Sequence, residues 1–465
     1  MLDFTSNKSI AIISSFFLIF VVIVPYYGFR FFRRQSKRSS VNISDKLSLT
    51  VGHASATGKR PTMEDDVLLA LDISPEYAVY EAACHSRVSA FGVFDGHCGS
   101  EIAKHAAQNY RKFIQAQVQV FNPTPAQTCE GIKQSFLDFD SSTKRIPAGS
   151  TACVAFITPQ HELFVANAGD SRAILIENNH PVSMSIDHKP SRESEKQRLL
   201  KAGAEVRPTT VVQSGCVLQL GPARIWPGGL SVSRGFGDHG MKDEVKMALG
   251  GFVQSQHLSW AEKQLVSPFP EIRYTELTQQ SQAVILACDG LFDVMTNSDV
   301  VKIFNQQLPR LMIKAIEQVA IRNIEKSESE ESQGIIKKFI HGMQRSYARL
   351  KFSFLHELDD YKLTDELLLQ ADFLCAQMLS DKLVSLALQR ETTDNVTVVV
   401  GLLRWKDTRK TARQWRELMK DEGLFSQFKK LLHKQNEVSC SETEDIQKDV
   451  QLWISPDDPS KQWIY

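Results

Sequence analysis

The eight cysteines (84, 98, 129, 153, 216, 288, 375 and 440) include no Cys-x-x-Cys pair, which argues against a zinc module and against a dense disulfide framework. Scattered reduced thiols in a cytosolic protein are the simpler expectation. There is also no charge excess: Lys+Arg and Asp+Glu stand at 54 each, so no global field argues for a nucleic-acid partner. No internal repeat is found. Charge is missing altogether over Ile10 to Phe29, whose roughly 20 residues match one helical crossing of a bilayer. Arg30, Arg33, Arg34, Lys37 and Arg38 follow it, while Asp3 and Lys8 nearly cancel before it, so the positive-inside bias puts everything after residue 30 in the cytosol. A cleaved signal peptide would carry its basic residues on the other side and end at small residues, and Val24-Pro25-Tyr26-Tyr27 is a poor cleavage site.

What is present in ordinary amount is a core. An apolar content of 42% with 23% charged residues suits a globular protein, and 465 residues allow one large domain with extensions or two domains. The polar, Ser-rich stretch from Gln35 to Leu49 reads as a tether, within a basic juxtamembrane linker at 30–49. From Thr50 to Arg404 apolar runs alternate with helical patterns. Thr151 to Thr158, Glu162 to Asn167 and Arg172 to Glu177 read as consecutive strands of an antiparallel meander. Ser100 to Gln119 and Ser191 to Ala202 read as helices. Short antiparallel strands with helices that cannot all be crossovers indicate a layered α+β fold. Residues 306–370 look like a charged helical insert, with an acidic run at Glu325 to Ser332, and 405–465 form a C-terminal extension.

Four acidic segments carry the chemistry: Arg60-Pro61-Thr62-Met63-Glu64-Asp65, Phe94-Asp95-Gly96-His97, Cys288-Asp289-Gly290 and Thr393-Asp394-Asn395. The last three place an aspartate at the end of, or just before, an apolar run that reads as a buried strand. Carboxylates pressed against a sheet interior are costly unless a cation neutralises them. Several drawn from distant parts of one chain make an oxygen-donor cage for a hard divalent metal. Taken singly, each Asp-Gly is as readily a turn. Asn395-Val396-Thr397 is a formal glycosylation sequon, whose glycan could block the neighbouring aspartate in a secretory lumen but not in the cytosol.

At these residues the chain resembles the metal-dependent protein phosphatases of type 2C. The likeness runs in order through Arg60 to Asp65, Phe91 to His97, Gly149-Ser150-Thr151-Ala152, Ala166 to Arg172, Asp187-His188-Lys189-Pro190, Leu230 to Asp238, Leu286 to Asp293 and Thr393 to Thr397. It implies a four-layer α-β-β-α sandwich with two central antiparallel sheets. It also implies two Mn2+ or Mg2+ ions, with Asp95 as the bridging carboxylate, the Gly96 carbonyl on one ion, and Asp289 and Asp394 on the other. Glu64 and Asp65 would hold bound waters, and Asp170 and Asp293, with Asp289, resemble a third metal position. Arg60 would offer a guanidinium fork to the phosphate, and His97 would protonate the departing serine or threonine oxygen. Phosphorylated proteins are then the expected substrates. A catalytically silent anchored adaptor and a hydrolase of small phosphoesters are the alternatives. The chain departs from the family pattern at Cys98-Gly99, where the cysteine could crowd the turn, make the site sensitive to oxidation or be a tolerated small residue, and at Gly235-Phe236; Asp238 is expected to support the site rather than ligate. The segment Gly240 to Lys263 and the 306–370 insert exceed the family core and put substrate choice in doubt, not the chemistry.

Overall fold

A computed structural model describes residues 40–73, 88–117, 124–213, 216–244, 264–327 and 365–408, together with 410, 414 and 451–452. The apolar run Ile10–Phe29, most of the charged insert and nearly all of the C-terminal extension lie outside the described residues. Among the described residues no helix is long and apolar enough to cross a membrane.

Two six-stranded antiparallel sheets form the centre. The first has the order β1 (Ser40–Asn42), β2 (Leu47–Ala56), β16 (Val396–Trp405), β15 (Ser281–Ala287), β9 (Arg172–Glu177), β10 (His180–Ser183). The second has the order β17 (Gln451–Leu452), β14 (Glu271–Glu276), β8 (Glu162–Ala168), β7 (Ala152–Ile157), β4 (Val88–Phe94), β3 (Asp66–Ile73). Helices α1 (Glu101–Gln117) and α2 (Pro125–Ser142) cover the outer face of the second sheet, and α5 (Asn297–Ser327) and α6 (Asp365–Gln389) cover the first. The expected four-layer sandwich is what forms.

Strand composition explains the layering. On β15, Ala283, Ile285 and Ala287 face the α5/α6 layer, whereas Val284 and Leu286 face the other sheet. On β7, Val154 and Phe156 face the α1/α2 layer, whereas Cys153, Ala155 and Ile157 point between the sheets. Both faces are buried, so these strands are continuously apolar, without the polar alternation of a sheet that is wet on one side. Burying each such Val, Ile, Leu or Phe contributes about 1.5–3 kcal/mol. Helix α2 starts at a capping Thr124, whose Oγ1 accepts from the Gln127 N–H at 3.4 Å, with Pro125 in the first turn.

Three sequence expectations need correction. The meander stops after β8: β7 pairs with β8, but β9 pairs with β15 and β10 in the opposite sheet. The turn at Gly169-Asp170-Ser171 carries the chain across the sandwich, and Gly169 sits at φ +130°, open to glycine. The tether reading of Gln35 to Leu49 is too long, because Ser40–Asn42 and Leu47–Leu49 are already paired in the first sheet. The insert begins later than residue 306. Leu308, Met312, Ala315, Ile316 and Val319 of α5 are buried in the core against the first sheet, so a charged-looking helix hides an apolar stripe.

Two smaller elements complete the described fold. The strands β5 (Gly96–His97), β6 (Gly149–Ser150) and β13 (Phe236–Gly237) make a three-stranded sheet of their own. A hairpin of β11 (Glu205–Gln213) and β12 (Cys216–Trp226) follows α3 (Glu193–Lys201).

Candidate metal centre and phosphate site

The strand ends converge at one edge of the sandwich. Asp95 follows β4, Asp65 precedes β3, Asp289 opens the short helix α4 (Asp289–Phe292) after β15, Asp394 precedes β16 and Asp170 lies in the sheet-crossing turn. Ligand-type atoms of Asp65, Asp95 and Cys288 lie within 4.8 Å of one another, as do those of Asp95, Asp170 and Asp289. Asp95 belongs to both groups and stands at their centre.

Such crowding is electrostatically expensive. Burial pushes the Asp65 carboxyl up to about 6, with Thr397, Cys288 and Asp95 pulling against the rise and Asp394 adding to it. Burial, then Asp170, Asp293 and Asp394, push Asp289 up to about 8 against the opposing Lys189. Asp170 reaches about 6, mainly through burial, and Asp95 is raised well above its usual range by its surroundings and by Asp65, Asp289, Asp170 and Asp394. Both oxygens of Asp65 are buried without a hydrogen-bond partner. Orphaned, mutually repelling carboxylates suit divalent cations. The Cys288 thiol does not compete as a thiolate. Burial and then Asp65, Asp95 and Asp289 hold it well above its ordinary pKa, and its Sγ lies 3.4 Å from the Asn395 carbonyl. The donor set is therefore oxygen, which favours Mg2+ or Mn2+ over softer metals.

The loop from Arg60 to Asp65 is fastened by Asn395. Its Oδ1 accepts from the Glu64 N–H at 2.8 Å, and its Nδ2 donates to the Thr57 and Thr62 carbonyls at 2.8 and 2.9 Å. The sequon asparagine is thus buried and fully engaged. Gly96 lies so close to this loop that a Cβ there would collide with the Glu64 carbonyl, which accounts for glycine at that position. Arg60 is exposed and pairs with Asp394, Nη2 to Oδ2 at 2.5 Å. Glu64 accepts from Thr62 Oγ1 at 3.2 Å. Asp293 stands apart from both acidic groups on the surface, 3.7 Å from the Lys189 ammonium, which also lies 3.8 Å from Asp170.

His97 lies beside the carboxylates, with Nε2 2.8 Å from Asp238 Oδ2. Burial by itself would lower its pKa, but the hydrogen bond and charge of Asp238, then Asp170 and Glu64, leave it raised. Cys98 is exposed with φ +58°. Partial burial, then Asp238 and Glu64, raise its thiol, which opposes thiolate-driven oxidation. The structure thus gathers Asp65, Asp95, Asp170 and Asp289, with Asp394 adjoining, and leaves Asp293 at the rim. Asp238 takes the supporting place expected of it, against His97, while Asn395 and Gly149 are the neighbours that motif reading undervalued.

This geometry defines a class: a divalent-cation site of oxygen donors with an arginine and a histidine beside it, suited to phosphoester hydrolysis. The family model for protein phosphatase 2C matches residues 50–333. "Probable protein phosphatase 2C 3" of Paramecium tetraurelia is 32% identical over 292 residues, spanning 59% of this chain and 83% of that protein. "Probable protein phosphatase 2C 45" of Oryza sativa subsp. japonica is 30% identical over 312 residues, spanning 66% of this chain and 94% of that protein. Among solved structures, a Toxoplasma gondii phosphatase aligns at TM-score 0.47 and 19% identity over 78% of this chain and 94% of that one, a likeness too weak to add to the family match. The chain belongs to the protein phosphatase 2C family. It is a protein serine/threonine phosphatase, a hydrolase dependent on Mn2+ or Mg2+.

Proposed function

We propose that the chain removes phosphate from phosphoserine and phosphothreonine in proteins while tethered to a membrane, with its catalytic domain in the cytosol. The observation that carries the catalytic part is the Asp65 carboxylate, buried and unpartnered beside Asp95. Asp95, the Gly96 carbonyl, Asp289 and Asp394 would hold two cations directly, and Glu64 and Asp65 would hold them through water. Asp170 and Asp293, with Asp289, would serve a third. When bound, the cations acidify water to a nucleophile at neutral pH and neutralise phosphoryl charge. Arg60, exposed at the mouth above Asp394, offers two parallel N–H donors to the phosphate oxygens. His97, oriented by Asp238, gives its proton to the serine or threonine oxygen as that poor leaving group departs.

For the tether, Ile10–Phe29 supplies the span and the basic residues after it the orientation. Residues 30–39 then separate the span from β1, at most about 35 Å of extended chain. The chain enters the first sheet at Ser40, opposite Thr50 of β2, and runs toward Ser48, while the Ala56 end of β2 pairs with Val396, next to Asp394.

Two measurements test the reading. Mn2+ binding followed by electron paramagnetic resonance should weaken strongly in Asp95→Asn and persist in Arg60→Ala; equal binding in wild type and Asp95→Asn would remove the ligand assignment. On sealed vesicles a C-terminal epitope should be digested by added protease, and a shielded epitope would overturn the topology.

A further inference from the structure

The partners His97 and Asp238 meet across the small sheet, where His97 faces Gly149 and Gly149 faces Gly237. Asp238 follows with φ +52°, after Gly237 at φ +75°. A non-glycine residue keeps a left-handed conformation when its surroundings over-determine it. Here they do. The Phe236 ring is packed against Phe136 and Phe139, centroids 5.0 and 4.7 Å away, and the Asp238 N–H donates to the Ala148 carbonyl at 3.0 Å. The remaining restraint comes from Asp140 on α2. Its Oδ1 accepts from the Gly237 N–H at 2.8 Å and from the Lys242 ammonium at 2.7 Å. Lys242 donates also to the Gly235 carbonyl at 3.2 Å, and its backbone N–H to the Asp238 carbonyl at 3.1 Å. His239, held by Thr143 at 2.9 Å, adjoins the pair.

Both charged side chains are nearly buried, at 2% exposure for Lys242 and 5% for Asp140. Buried ion pairs are poor sources of stability, because desolvation cancels much of the attraction and an apolar pair of similar volume packs as well. What this pair does add is direction: one carboxylate oxygen ties both flanks of the turn that presents Asp238. We propose that Asp140 and Lys242 are positioning residues for proton delivery, clamping the Gly237-Asp238 turn so that Asp238 keeps the His97 imidazole aimed at the leaving oxygen. The proposal rests on the reading of His97 as the proton donor.

The test compares leaving groups, using the full-length chain saturated with Mg2+. A phosphothreonine peptide needs a proton on its departing oxygen, whereas p-nitrophenyl phosphate leaves as a stable phenolate. Asp140→Asn and Lys242→Met should each lower kcat on the peptide by about tenfold or more, with KM unchanged and the aryl rate altered by less than about twofold. The double variant Asp140→Leu/Lys242→Met should melt near wild type and show the same selective loss, which separates positioning from folding. The Nε2 proton resonance of His97, downfield in wild type, should move upfield in all three. His97→Gln is the reference. If it is selective for the peptide and the clamp variants lose both substrates equally, or neither, the clamp is overturned. If His97→Gln itself is unselective, the proton-donor reading falls, and the clamp with it.

Discussion

Replacing Asp65 with asparagine should stabilise the chelated protein while weakening its response to divalent cations. Both Asp65 oxygens are buried and unpartnered, and the carboxyl is pushed from its usual 3.8 up to about 6, chiefly by burial. Between these values the folded chain holds the proton more tightly than the unfolded chain. Stability without metal therefore declines as pH rises through this window, and the cost is complete above about 6. At roughly 1.4 kcal/mol per pH unit, the cost from this group is about 3 kcal/mol. For a domain of this size that is about 5 °C in Tm. Thermal melts of wild type and Asp65→Asn, in EDTA and in excess Mn2+ at pH 5 and 7, measure it. In EDTA wild type should lose Tm between pH 5 and 7, and the variant should lose less and melt higher at pH 7. Mn2+ at a hundred times its Kd should return about 2.7 kcal/mol to wild type and less to the variant. A variant that melts lower than wild type in EDTA at pH 7, or keeps the whole Mn2+ response, would refute the reasoning.

Three further outcomes follow from the same geometry. A Cβ on Gly149 would overlap both His97 Nε2 and the Asp238 carboxylate, so Gly149→Ala should cost about a hundredfold in kcat on a phosphothreonine peptide; near wild-type kcat would show that the small sheet yields. Arg60→Lys should weaken phosphate binding by about 1.5–3 kcal/mol, read as a raised inhibition constant for inorganic phosphate, because an ammonium does not reproduce the fork; an unchanged constant removes Arg60 from that role. Behind the site, burial opposes but His188, Arg192 and Arg234 hold Glu271 down to about 2, and Arg234 and Arg198 hold Glu195 well below its usual value. Those carboxylates contribute stability above about 4.5 that is lost as pH falls toward 2. His188 is lowered chiefly by burial and then by Arg234, so the unfolded chain takes up its proton first and stability also falls as pH drops below 6.5. Glu271→Gln should flatten the melting curve between pH 4.5 and 3, and an unaltered slope there would discount the network.

Strand cores and the acidic corners were legible because both depend on local chemistry. Val396–Trp405 and Ser281–Ala287 are largely apolar and almost wholly buried, and each has an aspartate two residues beyond one end with nothing cationic beside it in sequence. Other features were not legible. Sheet membership after Ala168 depends on which partner completes hydrogen bonding, and β9 finds β15, more than a hundred residues away. The two-residue strands β5, β6 and β13 carry no periodicity, yet they bring His97, Gly149 and Gly237 into one row. Asn395, which reads as a glycan acceptor, is a staple for the Glu64 loop, a role visible only when Thr57 and Thr62 are brought beside it. The long helix Asn297–Ser327 was obscured by its charges, since its apolar stripe is interrupted by Lys302, Arg310 and Lys314 on the wet side.

Hydrolysis of a phosphothreonine peptide by the full-length chain as Mn2+ is titrated, with Asp95→Asn in parallel, is the most direct test of a metal-dependent phosphatase. Activity should rise from a near-zero baseline in chelator to a plateau. The variant should remain at least about a thousandfold lower across the range, a loss of roughly 4 kcal/mol in transition-state stabilisation. Equal rates for the two proteins at every Mn2+ concentration would contradict the metal-centred mechanism.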